Sequence, residues 1–164
     1  MKITTGRLIL YLLNPEQLKL LIGDLSSLEK EINIKYRGEP VEGVFKEIMI
    51  KQLEACKKDR ENYLWNSFWL LIRKEDRLVI GSIGFKGKPN TKGEVEIGYG
   101  LGKEFEHNGY MTEGVKSICN WVLDQNNVLN ITAETDADNI PSQRILKRCG
   151  FKKIIEKNTI WWSL

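Results

Sequence analysis

Residues Glu94 to Leu101 read EVEIGYGL, and their alternation separates two kinds of surface. In an extended strand Val95, Ile97, Tyr99 and Leu101 share one face, while Glu94, Glu96, Gly98 and Gly100 share the other. The second face offers carboxylates for proton transfer beside two bare backbone positions that an extended ligand could approach. A polar turn, Lys103 to Gly109, then leads into a helix. The first amides of a helix have no intrahelical acceptors and sit at the positive end of its dipole. The run Glu106, His107, Asn108, Gly109, Tyr110, Met111, Thr112 is therefore a candidate seat for a phosphate or pyrophosphate, with Gly109 permitting close approach. A diphosphate at the helix and an amide-bearing arm along Tyr99, Gly100 and Leu101 together describe coenzyme A. On these residues alone, a glycine-rich turn before a helix is also a common structural device, and Gly98 and Gly100 also fit a β-bulge.

Composition narrows the chemistry. The chain has 164 residues, 41% apolar and 29% charged, which suits one packed domain over 1–164 rather than a disordered or fibrous chain. Its net charge is +3, with no stripe of basic and aromatic residues, so nucleic acid is not an expected partner. No apolar run reaches membrane-spanning length and the amino end lacks a signal peptide's apolar stretch, so the protein is expected to be cytoplasmic with no membrane partner. One histidine, His107, rules out zinc sites built from two or three histidines. It would also have to serve any Ser-His-Asp hydrolase, for which no G-x-S-x-G elbow exists. Cys56, Cys119 and Cys149 are far apart and read as reduced, buried thiols. No metal is expected.

The elements that must position the candidate site follow from periodicity. Arg7 to Leu13 is an apolar run ended by Asn14-Pro15 and reads as a buried strand, followed by a helix from Pro15 to about Ile22. Residues 24 to 42 are ambiguous, with a helical turn around Ser27 to Ile32. Val44, Ile48, Leu53 and Cys56, flanked by Phe45, Met49 and Ile50, predict an amphipathic helix over Val44 to Lys57. Leu64 to Arg73 and Leu78 to Lys86 predict a hairpin. A helix on Met111, Val115, Ile118, Cys119, Val122 and Leu123 precedes a strand over Leu129 to Thr135. The segment DADNIPSQRILKRCGF carries Asp138 or Asn139 as cap, Pro141 in the first turn and Gly150 past the last, a short delimited helix. Strands over Phe151 to Glu156 and Thr159 to Leu164 close the chain. The result is an α/β arrangement, a mixed sheet with helices on its faces, containing a right-handed parallel crossover from Glu94 to Thr135.

Two segments, EVEIGYGLGKEFEHNGYMTEGV and DNIPSQRILKRCGF, resemble the GNAT superfamily of N-acetyltransferases, in particular the branch that includes ribosomal-protein N-terminal acetyltransferases. The opening TTGRLIL is similar to how that branch begins. The resemblance implies a mixed, mostly antiparallel seven-stranded twisted sheet with two splayed parallel central strands and about four helices. It also implies acetyl transfer from acetyl-CoA, as co-substrate, to a primary amine of a small molecule or peptide; the sequence leaves the assembly open between monomer and homodimer. The coenzyme would lie between the strands at Glu94 to Leu101 and Leu129 to Thr135. The family's phosphate pattern maps onto Glu106 to Met111, where only Gly109 matches; Glu106 replaces Arg or Gln, and Met111 replaces a small residue. Asn139 falls where the family asparagine contacts the pantetheine arm or orders the site. Leu146 stands where many members carry a tyrosine general acid, and Ser142 stands where the ribosomal-protein branch often has a serine, which makes it the replacement.

An ammonium acceptor must lose a proton before it attacks a thioester, so a base is needed. Glu96, on the strand facing the proposed cleft, is the first candidate, with Glu94 and Glu134 behind it; a sheet ion pair is the competing role. Backbone amides near Tyr99 to Leu101 could receive the oxyanion, and Ser142 could supply the departing sulfur with a proton. His107 reads as a loop residue touching solvent or phosphate. Tyr63, Trp65, Phe68 and Trp69 read as core before acceptor groove. The helices between Pro15 and Lys57 are expected to wall the acceptor side. The rival reading is a catalytically impaired acyl-CoA-binding or regulatory protein on the same fold, to which Glu106, Met111 and Leu146 point. An interaction module without a small ligand would need a large exposed apolar patch instead.

Overall fold

A computed structural model describes residues 1–164. Its elements are β1 (Lys2–Thr4), β2 (Leu8–Leu12), α1 (Pro15–Gly23), α2 (Leu25–Glu31), β3 (Lys35–Tyr36), α3 (Gly43–Lys58), β4 (Phe68–Arg73), β5 (Leu78–Phe85), β6 (Glu94–Leu101), α4 (Tyr110–Leu123), β7 (Asn130–Asp136), α5 (Ile140–Arg148), β8 (Lys152–Glu156) and β9 (Thr159–Ser163). Short 3-10 turns cover Arg60–Trp65 and Lys103–Phe105. The strands form one sheet in the order β1-β2-β4-β5-β6-β7-β9-β8, with β3 added to β5. Along that path every neighbour is antiparallel except β6 and β7, which run parallel. The expected mixed α/β sheet with one parallel central pair is therefore present, and no helix is long and apolar enough to cross a membrane.

Several details differ from the sequence reading. The sheet has nine strands rather than seven, because β1 and β3 are three and two residues long and carry too little pattern to be read. There are five α-helices rather than about four: Asp24 caps α2 through its side chain, which accepts from Ser27 N–H, turning part of the ambiguous 24–42 stretch into a separate helix. The strand expected from Leu64 begins at Phe68, since Arg60 to Trp65 coil into a 3-10 turn that buries Trp65. In α3 the buried stripe is Met49, Leu53 and Cys56, whereas Val44, Ile48 and Ile50 face solvent.

Two cores lie on opposite faces of the sheet. Leu8, Leu10, Trp69, Leu71, Ile83, Val95 and Ile97 pack with Met111, Val115, Ile118 and Val122 of α4 and with Leu146 of α5. On the other face Leu70, Ile72 and Val79 pack with Leu18, Leu21, Leu28, Met49 and Leu53 from α1 to α3. The alternation of β6 thus sends Tyr99 toward α4 and α5, and Gly98 and Gly100 toward α1 to α3.

Candidate active site

The strands β6 and β7 pair only at Glu94 with Asn130, Val95 with Ile131 and Glu96 with Thr132. Beyond Glu96 they part. β6 continues along β5 to Leu101, and β7 continues along β9 to Asp136. The orientation of the β6 backbone follows from two hydrogen bonds: Lys86 N–H donates to Glu96 O at 2.9 Å, and Gly102 N–H donates to Ile80 O at 2.9 Å. Antiparallel pairing alternates, so Glu96, Gly98, Gly100 and Gly102 turn their polar groups to β5. Tyr99 and Leu101 turn theirs into the gap. An amide-bearing ligand entering there meets an unused strand edge.

The start of α4 lies at the open end of that gap. Gly109 is its N-cap in the left-handed region, at φ +77, with no side chain capping the helix. None of the N–H groups from Asn108 to Thr112 finds an acceptor within the chain. A row of free donors at a helix start suits an anion, so the residues present fit a pyrophosphate. A cavity of about 250 Å³ joins these parts. Tyr99, Gly100, Leu101, Glu106, His107, Gly109, Tyr110, Met111, Thr112, Asn139 and Ser142 from the sequence reading all border it. Asn108 does not line this cavity; its side chain donates to the carbonyls of Phe105 and Glu106, holding the loop.

The amide row is held from the amino end of the chain. Arg7 Nε donates to Glu113 Oε2 at 2.7 Å, its Nη1 donates to Asn108 O at 2.9 Å, and its guanidinium stacks 4.4 Å from the Tyr110 ring centre. Thr5 Oγ1 and Arg7 N–H both donate to Glu113 Oε1. Partial burial of Glu113 favours its neutral form, but these hydrogen bonds from Thr5 and Arg7 outweigh it, and its carboxyl lies below the ordinary range. A lowered folded value means that stability is present above the unfolded value, about 4.3, and lost as pH falls through the folded one. Thermal melts between pH 7 and pH 3 should therefore show acid sensitivity that Glu113→Gln reduces; identical slopes in both proteins would contradict this account of the clamp.

Glu96 is not brought to the cavity. It sits at the last paired position of the strands, in an ion pair with Lys86, whose Nζ also lies 4.0 Å from Glu134 Oε2. The Lys86 pair accounts for its Oε1, which has no well-directed hydrogen bond. Ser142, in contrast, lies 2.8 Å from the Tyr99 hydroxyl, with either oxygen able to donate. Burial pushes the Tyr99 phenol above its ordinary value, against the opposing effect of Ser142, which keeps it a neutral proton donor. Asn139 caps α5, its Oδ1 accepting from Ser142 N–H at 3.1 Å, and so fixes where Ser142 stands.

Met111 and Leu146 are 2% and 0% exposed, with side chains in the core beneath α4 and α5 rather than in the phosphate's way. Two cations beside the phosphate seat were absent from the sequence assignment of site roles: Arg144 and Arg148, one turn apart on α5, both border the cavity. Their i, i+4 spacing was the available signal.

Comparison with known proteins decides the family. A sequence profile described as acetyltransferase (GNAT) domain matches residues 7–152. The chain belongs to the GNAT acetyltransferases. Among its GNAT relatives, the uncharacterized N-acetyltransferase YjdG of Bacillus subtilis is 31% identical over 122 residues, covering 74% of this chain and 72% of that protein. YoaA of the same organism, also an uncharacterized N-acetyltransferase, is 26% identical over 150 residues, covering 91% and 81%. Solved GNAT structures share the fold from end to end. RimL, a ribosomal L7/L12 α-N-protein acetyltransferase solved with coenzyme A, superposes with a TM-score of 0.71 at 13% identity, covering 100% of this chain and 97% of that one. The ribosomal-protein-S5-alanine acetyltransferase of Vibrio fischeri gives 0.69 at 17% identity, covering 100% and 96%.

Proposed function

We propose that this chain, acting as a single domain over residues 1–164, transfers an acetyl group from acetyl-CoA directly to a primary amine, without a covalent enzyme intermediate. The observation that carries the reading is the gap between β6 and β7 ending on an uncapped row of amides at α4. The free N–H groups of Asn108 to Thr112 suit the pyrophosphate, with Arg144 and Arg148 adding positive charge that offsets Glu106. The Tyr99 and Leu101 main chain suits the amides of the pantetheine arm. Acetyl-CoA, when bound, supplies the activated acetyl carbon. Ser142, oriented by Tyr99 and by the Asn139 cap, is the proton source for the departing sulfur. The acceptor is a small-molecule amine or a peptide amino terminus. Burial of Met111 removes one of the three features that pointed toward an impaired, binding-only protein, and the Tyr99–Ser142 pair offers hydroxyls in place of the one Leu146 lacks.

Incubation with acetyl-CoA and a panel of primary amines and free-N-terminus peptides tests the reading: free CoA thiol should appear with an acetylated amine. Binding of CoA without turnover across the panel would favour the binding-only protein, and absence of binding would reject both. Tyr99→Phe and Ser142→Ala should each lower kcat about tenfold, a modest loss because a thiolate with an ordinary value near 8.5 leaves readily, while CoA affinity measured by calorimetry stays within about twofold. Unchanged kcat in both variants would remove the pair from the mechanism.

A further inference from the structure

A second cavity, about 1140 Å³, opens on the opposite face of the sheet. It is bordered by Leu21, Ile22 and Leu25 at the α1–α2 junction, by the segment from Tyr36 to Val41, and by the end of β6 and its following turn. Gly100, Leu101 and Glu106 border this cavity and the coenzyme cavity alike, so the two meet at the end of β6. Glu106 brings one carboxylate to that junction beside the phosphate seat, and Glu39 brings a second against β6. A Cβ placed on Gly100 would overlap Glu39 Oε2, so the oxygen rests against the strand where only glycine leaves room.

Glu39 is held there by its backbone. Arg37 N–H donates to Val79 O at 2.8 Å, a Cβ on Gly102 would overlap Arg37 O, and the Tyr36 hydroxyl donates to Glu39 O at 2.7 Å. The carboxylate itself has neither an ion pair nor a hydrogen bond within the chain, unlike Glu96 with its lysine. The residue is exposed overall, but its carboxyl lies against β6, and the desolvation on that side raises it above the ordinary carboxylate range, the direction a base needs. The other charged groups facing this cavity are Arg37, Lys103, Glu104 and Glu106, and the Tyr36 phenol is kept neutral by burial and by Glu39.

We propose that Glu39 binds and deprotonates the acceptor ammonium, which enters through this second cavity, and that the acceptor is a cationic primary amine with an apolar body. The proposal rests on the acetyl-transfer reading. The ammonium gives one proton to Glu39, which passes it to water. The free nitrogen then forms a bond to the acetyl carbon as the carbon–sulfur bond breaks, and the nitrogen's second excess proton leaves as the sulfur gains one, yielding amide and free CoA. The apolar side chains of Leu21, Ile22, Leu25 and Val41 receive the body of the acceptor.

The test uses phenethylamine, a primary ammonium with an apolar body, on full-length wild type, Glu39→Gln and Glu39→Asp. Calorimetry on CoA-loaded protein reads amine binding, and thiol release from acetyl-CoA reads turnover. Glu39→Gln should lower kcat/KM for the amine about 100-fold or more and flatten the acid limb of its pH profile, while the affinity for CoA, which also reports folding, stays within about twofold. Glu39→Asp, which keeps the charge but withdraws it from Gly100, should retain the acid limb with an intermediate rate. Unaltered binding, rate and acid limb in Glu39→Gln would overturn the proposal, as would failure of CoA-loaded wild type to bind phenethylamine. Failure of wild type to bind CoA would overturn the acetyl-transfer reading and this proposal with it.

Discussion

Replacing Arg144 and Arg148 together with alanine is expected to weaken coenzyme A binding about 100-fold, because each guanidinium beside the phosphate seat contributes on the order of one charge-assisted contact. Both side chains are exposed, which screens them and places the expectation at the low end for such contacts. The same screening gives the loss a signature. Wild-type affinity should fall as salt is raised from 50 mM to 500 mM, and the double variant should show a shallower fall. Titration calorimetry at two salt concentrations reads both. Equal affinity in the two proteins would place the phosphates away from α5, leaving the α4 amides to act alone.

The second large effect concerns the fold that holds the gap open. Trp162 is 1% exposed in the core on the α4 and α5 side, and its indole N–H donates to Thr135 Oγ1 at 2.9 Å on the neighbouring strand. Trp162→Ala removes a large buried ring and orphans the buried Thr135 hydroxyl, at a cost of about 3–5 kcal/mol. Trp162→Phe keeps most of the volume and loses the hydrogen bond, so it should cost about 1–2 kcal/mol. Urea melts of the three proteins measure the difference. The ordering wild type, Phe, Ala is the expected result, and an alanine variant as stable as wild type would contradict the packing described for β7 and β9.

These contrasts show what the sequence made legible. The alternation in EVEIGYGL placed Tyr99 and Gly100 on opposite faces, and the cap-proline-glycine punctuation around Asn139, Pro141 and Gly150 delimited a helix that the structure forms over Ile140–Arg148. Both are local signals, decided within a few residues. The short strand at Lys35–Tyr36 was not legible, since two residues carry no period. The burial of Met111 was legible from its place on the apolar stripe with Val115, Ile118 and Val122, whereas Leu123, read onto the same stripe, is exposed at the end of the helix. Glu96 stood out by sharing a strand face with the glycines, yet Lys86 across the neighbouring strand claims it. Glu39 had no sequence signal: its place depends on a segment 61 positions before Gly100 folding back against β6, a contact that only tertiary structure creates. The Tyr99–Ser142 pair, 43 positions apart, was hidden for the same reason.

The account stands on where coenzyme A sits, and a crystal structure of the protein grown with coenzyme A tests it most directly. The expected result is a pyrophosphate within hydrogen-bond reach of the N–H groups between Asn108 and Thr112, with the pantetheine arm along Tyr99 and Leu101 and its sulfur close to Gly100. A coenzyme bound elsewhere, or a gap between β6 and β7 that closes and leaves no room for the arm, would contradict it.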